Sequence, residues 1–160
     1  MRKTLAAASA AALLTALVAV AVTAPAAYAN DTPTTPAANA ENKDYAAGRS
    51  AVGRKDWPAA VASFTKVVAT EPNNADAHNL LAYSNRWQGK FDEAFDHYQR
   101  ALSIDPNHRG ALEYQGVAFV KTGQIDKAEG NLARLEKIAG RNAEETRDLA
   151  KAIAEAKAKK

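Results

Sequence analysis

The sequence predicts an all-α protein, a short solenoid of three helix pairs closed by one further helix at the C-terminus. Three observations carry this expectation. The same residue types recur at a spacing of 34 over most of the chain; each period divides into two apolar patterns of helical spacing with a break between them; and the stretch from Asn142 to Lys160 continues the pattern of a first helix.

The period shows in several series at once. Ala60, Ala94 and Ala128 are 34 apart, as are Gly48, Ala82 and Gly116, then Trp57, Phe91 and Ile125, then Phe64, Tyr98 and Leu132. Pro72 and Pro106 keep the register, and Gly140 takes the third place. In the second copy, "ADAHNLLAYSNRWQ" sets Leu80, Leu81 and Ala82 on a first helix, Gly89 breaks it, and "FDEAFDHYQRALSI" sets Phe91, Ala94, Phe95, Tyr98, Ala101, Leu102 and Ile104 on a second. A residue before proline is pushed out of the helical region, so Asp105 must end that second helix. Pro58 falls in the first turn of its helix, where a missing N–H costs nothing. Glycine inside a helix costs about 1 kcal/mol against alanine. Gly48 and Gly116 in register therefore predict close backbone approach where helices cross. At the end of the chain Leu149, Ala150 and Ile153 hold the places of Gln115, Gly116 and Phe119, and Asn142 with Glu145 reads as a capping box. Residues 143–158 are the expected closing helix.

These residues resemble the tetratricopeptide repeat, whose pattern runs W-x₂-L-G-x₂-Y, then A-x₃-F, then P within one period of the same length. The second copy is closest, with Leu81-Ala82, Gly89, Phe91, Ala94-x₃-Tyr98, Ala101 and "DPN" at 105–107. The first keeps Gly48, Ala60-x₃-Phe64 and Pro72 but has Asp44 and Ala51 where the family prefers tryptophan and tyrosine. The third keeps Gly116, Phe119, Gly123, Ala128 and Leu132 and lacks the proline. The resemblance sets repeats at about 41–74, 75–108 and 109–142 within a domain spanning 43–158.

Two segments precede that domain. Arg2 and Lys3, an apolar run from Leu5 to Val22, and Ala27-Tyr28-Ala29 have the form of an export signal cleaved before Asn30. An uncleaved anchor is the alternative. Residues 30–42, "NDTPTTPAANAEN", offer almost no large apolar side chain and are expected to form a disordered linker. Cleavage leaves 131 of the 160 residues and lowers the net charge from +3 to about +1, too balanced for a nucleic-acid binder. The expected location is the periplasm or outside the cell, with no stable membrane anchor after cleavage. The chain has no cysteine, so its core must suffice without disulfides.

Signs of catalysis are sparse. No thiol, glycine-rich phosphate loop, nucleophile-elbow serine or pair of histidines on one helix is present, so neither an enzyme nor a bound cofactor is expected. Asp92, Glu93, Asp96 and His97 raise the one question of a metal site, since Glu93 and His97 share a helix face. The aligned copies hold Pro58, Ala59, Ala62 and Ser63, then Asp126, Lys127, Gly130 and Asn131, so the set does not repeat. The expectation is a solvated outer face, with His78 partly buried and His108 in a loop.

The resemblance implies a right-handed superhelix whose first helices line a concave groove. In register its wall holds Tyr45, Asn79 and Glu113; Ala46, Leu80 and Tyr114; Arg49, Tyr83 and Val117; Val52, Arg86 and Val120; and Gly53, Trp87 and Lys121. Aromatic and arginine side chains are frequent binding anchors, which singles out Tyr45, Arg49, Tyr83, Arg86 and Trp87, with Asn79, Glu113, Tyr114 and Lys121 beside them. Family members that grip the C-terminal carboxylate of cytosolic chaperones use lysine, asparagine and arginine on these faces. The matching places here hold Tyr45, Arg49, Leu80, Gly110 and Tyr114, so that activity is not implied. The expected function is an exported adaptor for a protein or peptide partner, with envelope assembly or secretion as its setting. The alternatives are self-association, with Phe95 near an outer edge, and metal-dependent activity on the Asp92–His97 face.

Overall fold

The computed structural model describes residues 42–159, so the expected export signal and most of the expected linker lie outside the described residues. Seven helices follow one another there: α1 Lys43–Gly53, α2 Trp57–Thr70, α3 Ala75–Trp87, α4 Phe91–Ile104, α5 Arg109–Lys121, α6 Ile125–Ala139 and α7 Glu144–Ala158. The second helices α2, α4 and α6 begin at the same place in successive periods, as do α3 and α5.

Each helix packs on the next, and in addition α1 meets α3, α3 meets α5 and α5 meets α7. No corresponding approach joins α2 to α4 or α4 to α6 among the described residues. First helices that touch while second helices splay bend the array toward the first-helix side. That side is the inner wall on which the predicted groove residues fall.

Side chains from consecutive helices form one core layer per repeat. Tyr45, Phe64, Val67 and Leu81 fill the first, Ala82, Ala94, Tyr98 and Ala118 the second, and Leu112, Ala128, Leu135, Leu149 and Ile153 the third. Helix α7 thus buries Leu149 and Ile153 against the last pair, covering an apolar face that would otherwise meet water.

The turn inside each repeat uses a left-handed residue at one register position: Lys55 (φ 58°), Gly89 (φ 77°) and Gly123 (φ 76°). Between repeats the N-caps also keep register through different chemistry. Asn74 Oδ1 accepts from the Ala77 N–H at 2.9 Å, and one period further on His108 Nδ1 accepts from the Ala111 N–H at 3.2 Å. Arg100 and Arg134, in the same register, donate to the Pro72 and Pro106 carbonyls at 3.4 and 2.6 Å, tying each second helix to the preceding inter-repeat loop.

Four expectations need correction. The glycines do not bring backbones together: a Cβ on Gly48 would lie 2.7 Å from two ring carbons of Phe64, and one on Gly116 would lie 2.5 Å from Leu149 Cδ2, so both seat a neighbour's side chain. No capping box forms at Asn142, because Ala143 is the N-cap of α7 and Glu145 turns to Arg109 at 3.4 Å instead. Asn42 belongs to the domain, its Oδ1 accepting from the Asp44 and Tyr45 N–H groups at 3.0 and 3.1 Å. Phe95 is no free edge, since its ring stacks on Phe119 at 4.7 Å.

Candidate functional site

The inner wall gathers an aromatic ladder. Trp87, the last residue of α3, stacks on Trp57 at the start of α2, ring centroids 5.3 Å apart and planes 6° from parallel. One turn back on α3, Tyr83 meets Trp57, Trp87 and Tyr114 at 5.9, 6.2 and 4.8 Å. Four rings from α2, α3 and α5 therefore form a continuous apolar strip, with Trp87 49% exposed at its edge.

Under the strip lies Arg86. Its guanidinium sits 5.0 Å from the Tyr83 centroid and 5.1 Å from that of Trp87, within the range of cation–π attraction. Only 7% of it is exposed, and Nε has no hydrogen-bond partner. The expectation of Arg86 as a projecting anchor is corrected accordingly: its charge supports the rings from beneath. Tyr45, 7% exposed, packs edge-on to Phe64 at 5.7 Å and joins the first core layer. Its hydroxyl is pushed up to about 12 by burial and by Asp76. Asn79, 5% exposed, also lies within the wall. These three support the surface, whereas Tyr83, Glu113 and Tyr114 are half-buried and Arg49, Trp87 and Lys121 exposed.

Beyond the ladder the wall turns acidic. Burial, followed by the carboxylates of Asp148, Glu145 and Glu144, raises Glu113 to about 7, while Arg86 opposes that rise. The Tyr114 hydroxyl is raised by its burial and then by Glu113 and Tyr83. Tyr98, beneath, is raised further still by burial, with Arg86 acting in the opposite sense.

Sequence reasoning missed Trp57, which the period assigns to the core position shared by Phe91 and Ile125; its exposed edge serves the ladder only because Trp87 lies across from it. It also misplaced His97. That side chain is half-buried, and its Nδ1 lies 3.2 Å from Nδ1 of His78 on α3, so only Asp92, Glu93 and Asp96 of the quartet form an exposed face. Among the described residues, no group of three or more His, Asp or Glu side chains is placed to hold a metal ion.

Sequence profiles of the tetratricopeptide repeat match residues 45–109 and 88–153, together nearly all of the helical array. The chain belongs to the tetratricopeptide-repeat family. The "Probable UDP-N-acetylglucosamine--peptide N-acetylglucosaminyltransferase SPINDLY" of Hordeum vulgare is 32% identical over 68 residues, 42% of this chain. That stretch is 7% of the plant protein's length. Among solved structures, the TPR domain of Sgt2 from Aspergillus fumigatus superposes with a TM-score of 0.66 at 19% identity, covering 81% of this chain and 82% of that one. The TPR2B domain of yeast Sti1, in a complex with pHsp70, gives 0.65 at 19%, covering 73% and 95%. The first TPR of Spaghetti (RPAP3), bound to the HSP90 peptide SRMEEVD, gives 0.62 at 22%, covering 69% and 87%. The tetratricopeptide array is a protein-interaction scaffold, and that coarse function applies to this chain.

Proposed function

We propose that this protein is an exported adaptor that holds an extended segment of a protein partner along the inner wall of α1, α3 and α5, within an envelope-assembly or secretion complex. The observation that carries the reading is the aromatic ladder. Trp87 leaves half its surface in water, although a monomer gains by covering so large an apolar side chain. Rigid aromatic rings offer contact area at small entropic cost, which is why they recur as anchors.

Solved relatives support peptide docking on this fold, since the Sti1 and RPAP3 domains were solved with pHsp70 and with the HSP90 peptide SRMEEVD. The partner of this chain differs in chemistry. The positions that grip a chaperone carboxylate hold Tyr45, Arg49, Leu80, Gly110 and Tyr114 here, and Tyr45 is committed to the core. Export rests on the N-terminal pattern alone. It predicts that the protein recovered from the envelope fraction begins at Asn30.

Crosslinking the exported protein in that fraction tests the adaptor reading. A captured protein that Trp87→Ala and Tyr83→Ala both release supports it; capture that neither substitution weakens sinks it.

A further inference from the structure

Trp57 and Trp87 lie parallel, and Tyr83 and Tyr114 continue the strip toward α5, so the ladder presents a row of ring faces rather than an enclosed pocket. Such a row suits a polyproline II segment, which is extended before it docks and so loses little entropy on docking. That helix has three residues per turn, so prolines three apart fall on one side of it.

This chain carries a segment of that kind next to the domain. Residues 32–36 read "TPTTP", with Pro33 and Pro36 three apart, and the stretch enters the domain at Asn42. Asn42 is fixed in place: it N-caps α1, and its Nδ2 donates to Glu71 Oε1. Trp57 follows the turn after α1 and Trp87 stacks on it, so both stand at the far end of that helix. The 11 residues of α1 span about 16 Å, and α3 lies about 8–10 Å to its side, which makes the path from Asn42 to Trp87 about 19 Å. At about 3.1 Å per residue, the chain from Pro36 to Asn42 covers about 19 Å, and Pro33 reaches about 9 Å further. Charge agrees with length. Residues 31–41 contain Asp31 and Glu41 and no basic residue, and the path passes Arg49, exposed on α1 and in no ion pair among the described residues.

We propose that residues 32–36 of this chain occupy the aromatic ladder, Pro36 against Trp87, until a partner displaces them. The inference rests on the adaptor reading, since one strip serves both, and adds that a partner competes with the chain's own proline segment. The affinity required is small. A tether this short holds the segment near the ladder at about millimolar concentration, so a contact too weak to retain a free peptide still fills the surface. A partner segment of micromolar affinity overcomes it.

Trp57 and Trp87 are the only tryptophans of the chain, so its intrinsic fluorescence reads the ladder alone. The test compares acrylamide quenching of the protein purified from the envelope fraction with that of a Pro33→Ala/Pro36→Ala variant, which keeps length and charge. Quenching should rise about twofold in the variant, and the synthetic peptide DTPTTPAANA, added at about millimolar concentration, should bring it back down. Equal quenching of the two proteins would overturn the proposal, as would a peptide that leaves the variant unprotected. Protection of the unaltered chain that fades on dilution, with dimers in sedimentation at the higher concentration, assigns the ladder to a second copy and overturns it too. In each of these cases, partner capture that depends on Trp87 and Tyr83 leaves the adaptor reading standing, whereas capture indifferent to both removes that reading whatever the quenching shows.

Discussion

His78 and His97 meet Nδ1 to Nδ1 at 3.2 Å, joining α3 to α4 across the turn of the second repeat. His78 Nε2–H donates to the Pro72 carbonyl at 3.1 Å, so in the neutral pair its Nδ1 can only accept and His97 Nδ1–H must donate. Burial lowers both imidazoles below the usual 6.5, with Arg100 opposing protonation of His78 and Asp96 favouring that of His97. The unfolded chain therefore takes up protons that the folded one resists. Stability is full above pH 6.5 and falls as the pH drops through that value toward the lower folded pKa values, by up to about 1.4 kcal/mol per pH unit for each group. Urea unfolding at pH 7.5, 6.5 and 5.5 should show that slope, and His97→Gln, which keeps a donor and cannot titrate, should flatten it. An equal slope in the variant removes the pair as its cause.

The same substitution should have opposite signs at two glycines. Gly48→Ala puts a methyl 2.7 Å from the ring of Phe64, which is fully buried and cannot step aside. Overpacking of this kind costs about 1–3 kcal/mol, more than the helix propensity gained. Gly130 lies inside α6 with nothing within 4 Å of its missing Cβ, so Gly130→Ala should stabilise by about 0.5–1 kcal/mol. Denaturant midpoints of the two variants read the contrast directly; a stabilised Gly48→Ala would contradict the tight seat for Phe64.

Lys55 holds φ 58° at the position where Gly89 and Gly123 hold 77° and 76°. A side chain in that region costs about 1–2 kcal/mol, which glycine avoids while adding some freedom to the unfolded chain. Lys55→Gly should raise stability by about 0.5–1 kcal/mol, seen as a higher melting temperature by circular dichroism. The reverse change, Gly89→Lys, should lower it by a similar amount.

The repeat period made the helices, their breaks and the core alanines legible, because each of those features is a local consequence repeated in register. It also contained Arg100 and Arg134, whose spacing could have revealed their grip on the Pro72 and Pro106 carbonyls. Contacts that break the register were not legible. Neither the Trp57–Trp87 pair nor the His78–His97 pair is separated by a whole period, so no alignment of the copies brings them together. Nor could spacing show which inner-wall residues are buried: Tyr83 and Arg86 share a helix turn, yet the ring surfaces and the guanidinium is covered. The Asn142 cap failed for a backbone reason. Gly140 leaves α6 at φ 82°, and the turn that follows starts α7 one residue later than the register requires.

Arg86 and Trp87 are neighbours with opposite expected roles, and this separates structural support from partner contact. Removing Trp87 exposes the face of Trp57 but opens no cavity, since half of its surface is already in water. Trp87→Ala should destabilise by about 1–2 kcal/mol, leaving the protein folded, and release the captured partner. Arg86→Met keeps much of the side-chain volume and deletes the charge, so the cation–π contacts to Tyr83 and Trp87 go and Glu113 loses its opposing cation. Its carboxyl should then titrate higher than about 7, which the carboxyl carbon resonance reports. Arg86→Glu adds a buried negative charge to the same place and should destabilise by about 3 kcal/mol or more. Loss of the partner in that variant would reflect unfolding, so the decisive comparison is Trp87→Ala: a folded protein that no longer binds places the contact at the ladder, and one that binds as before moves it elsewhere.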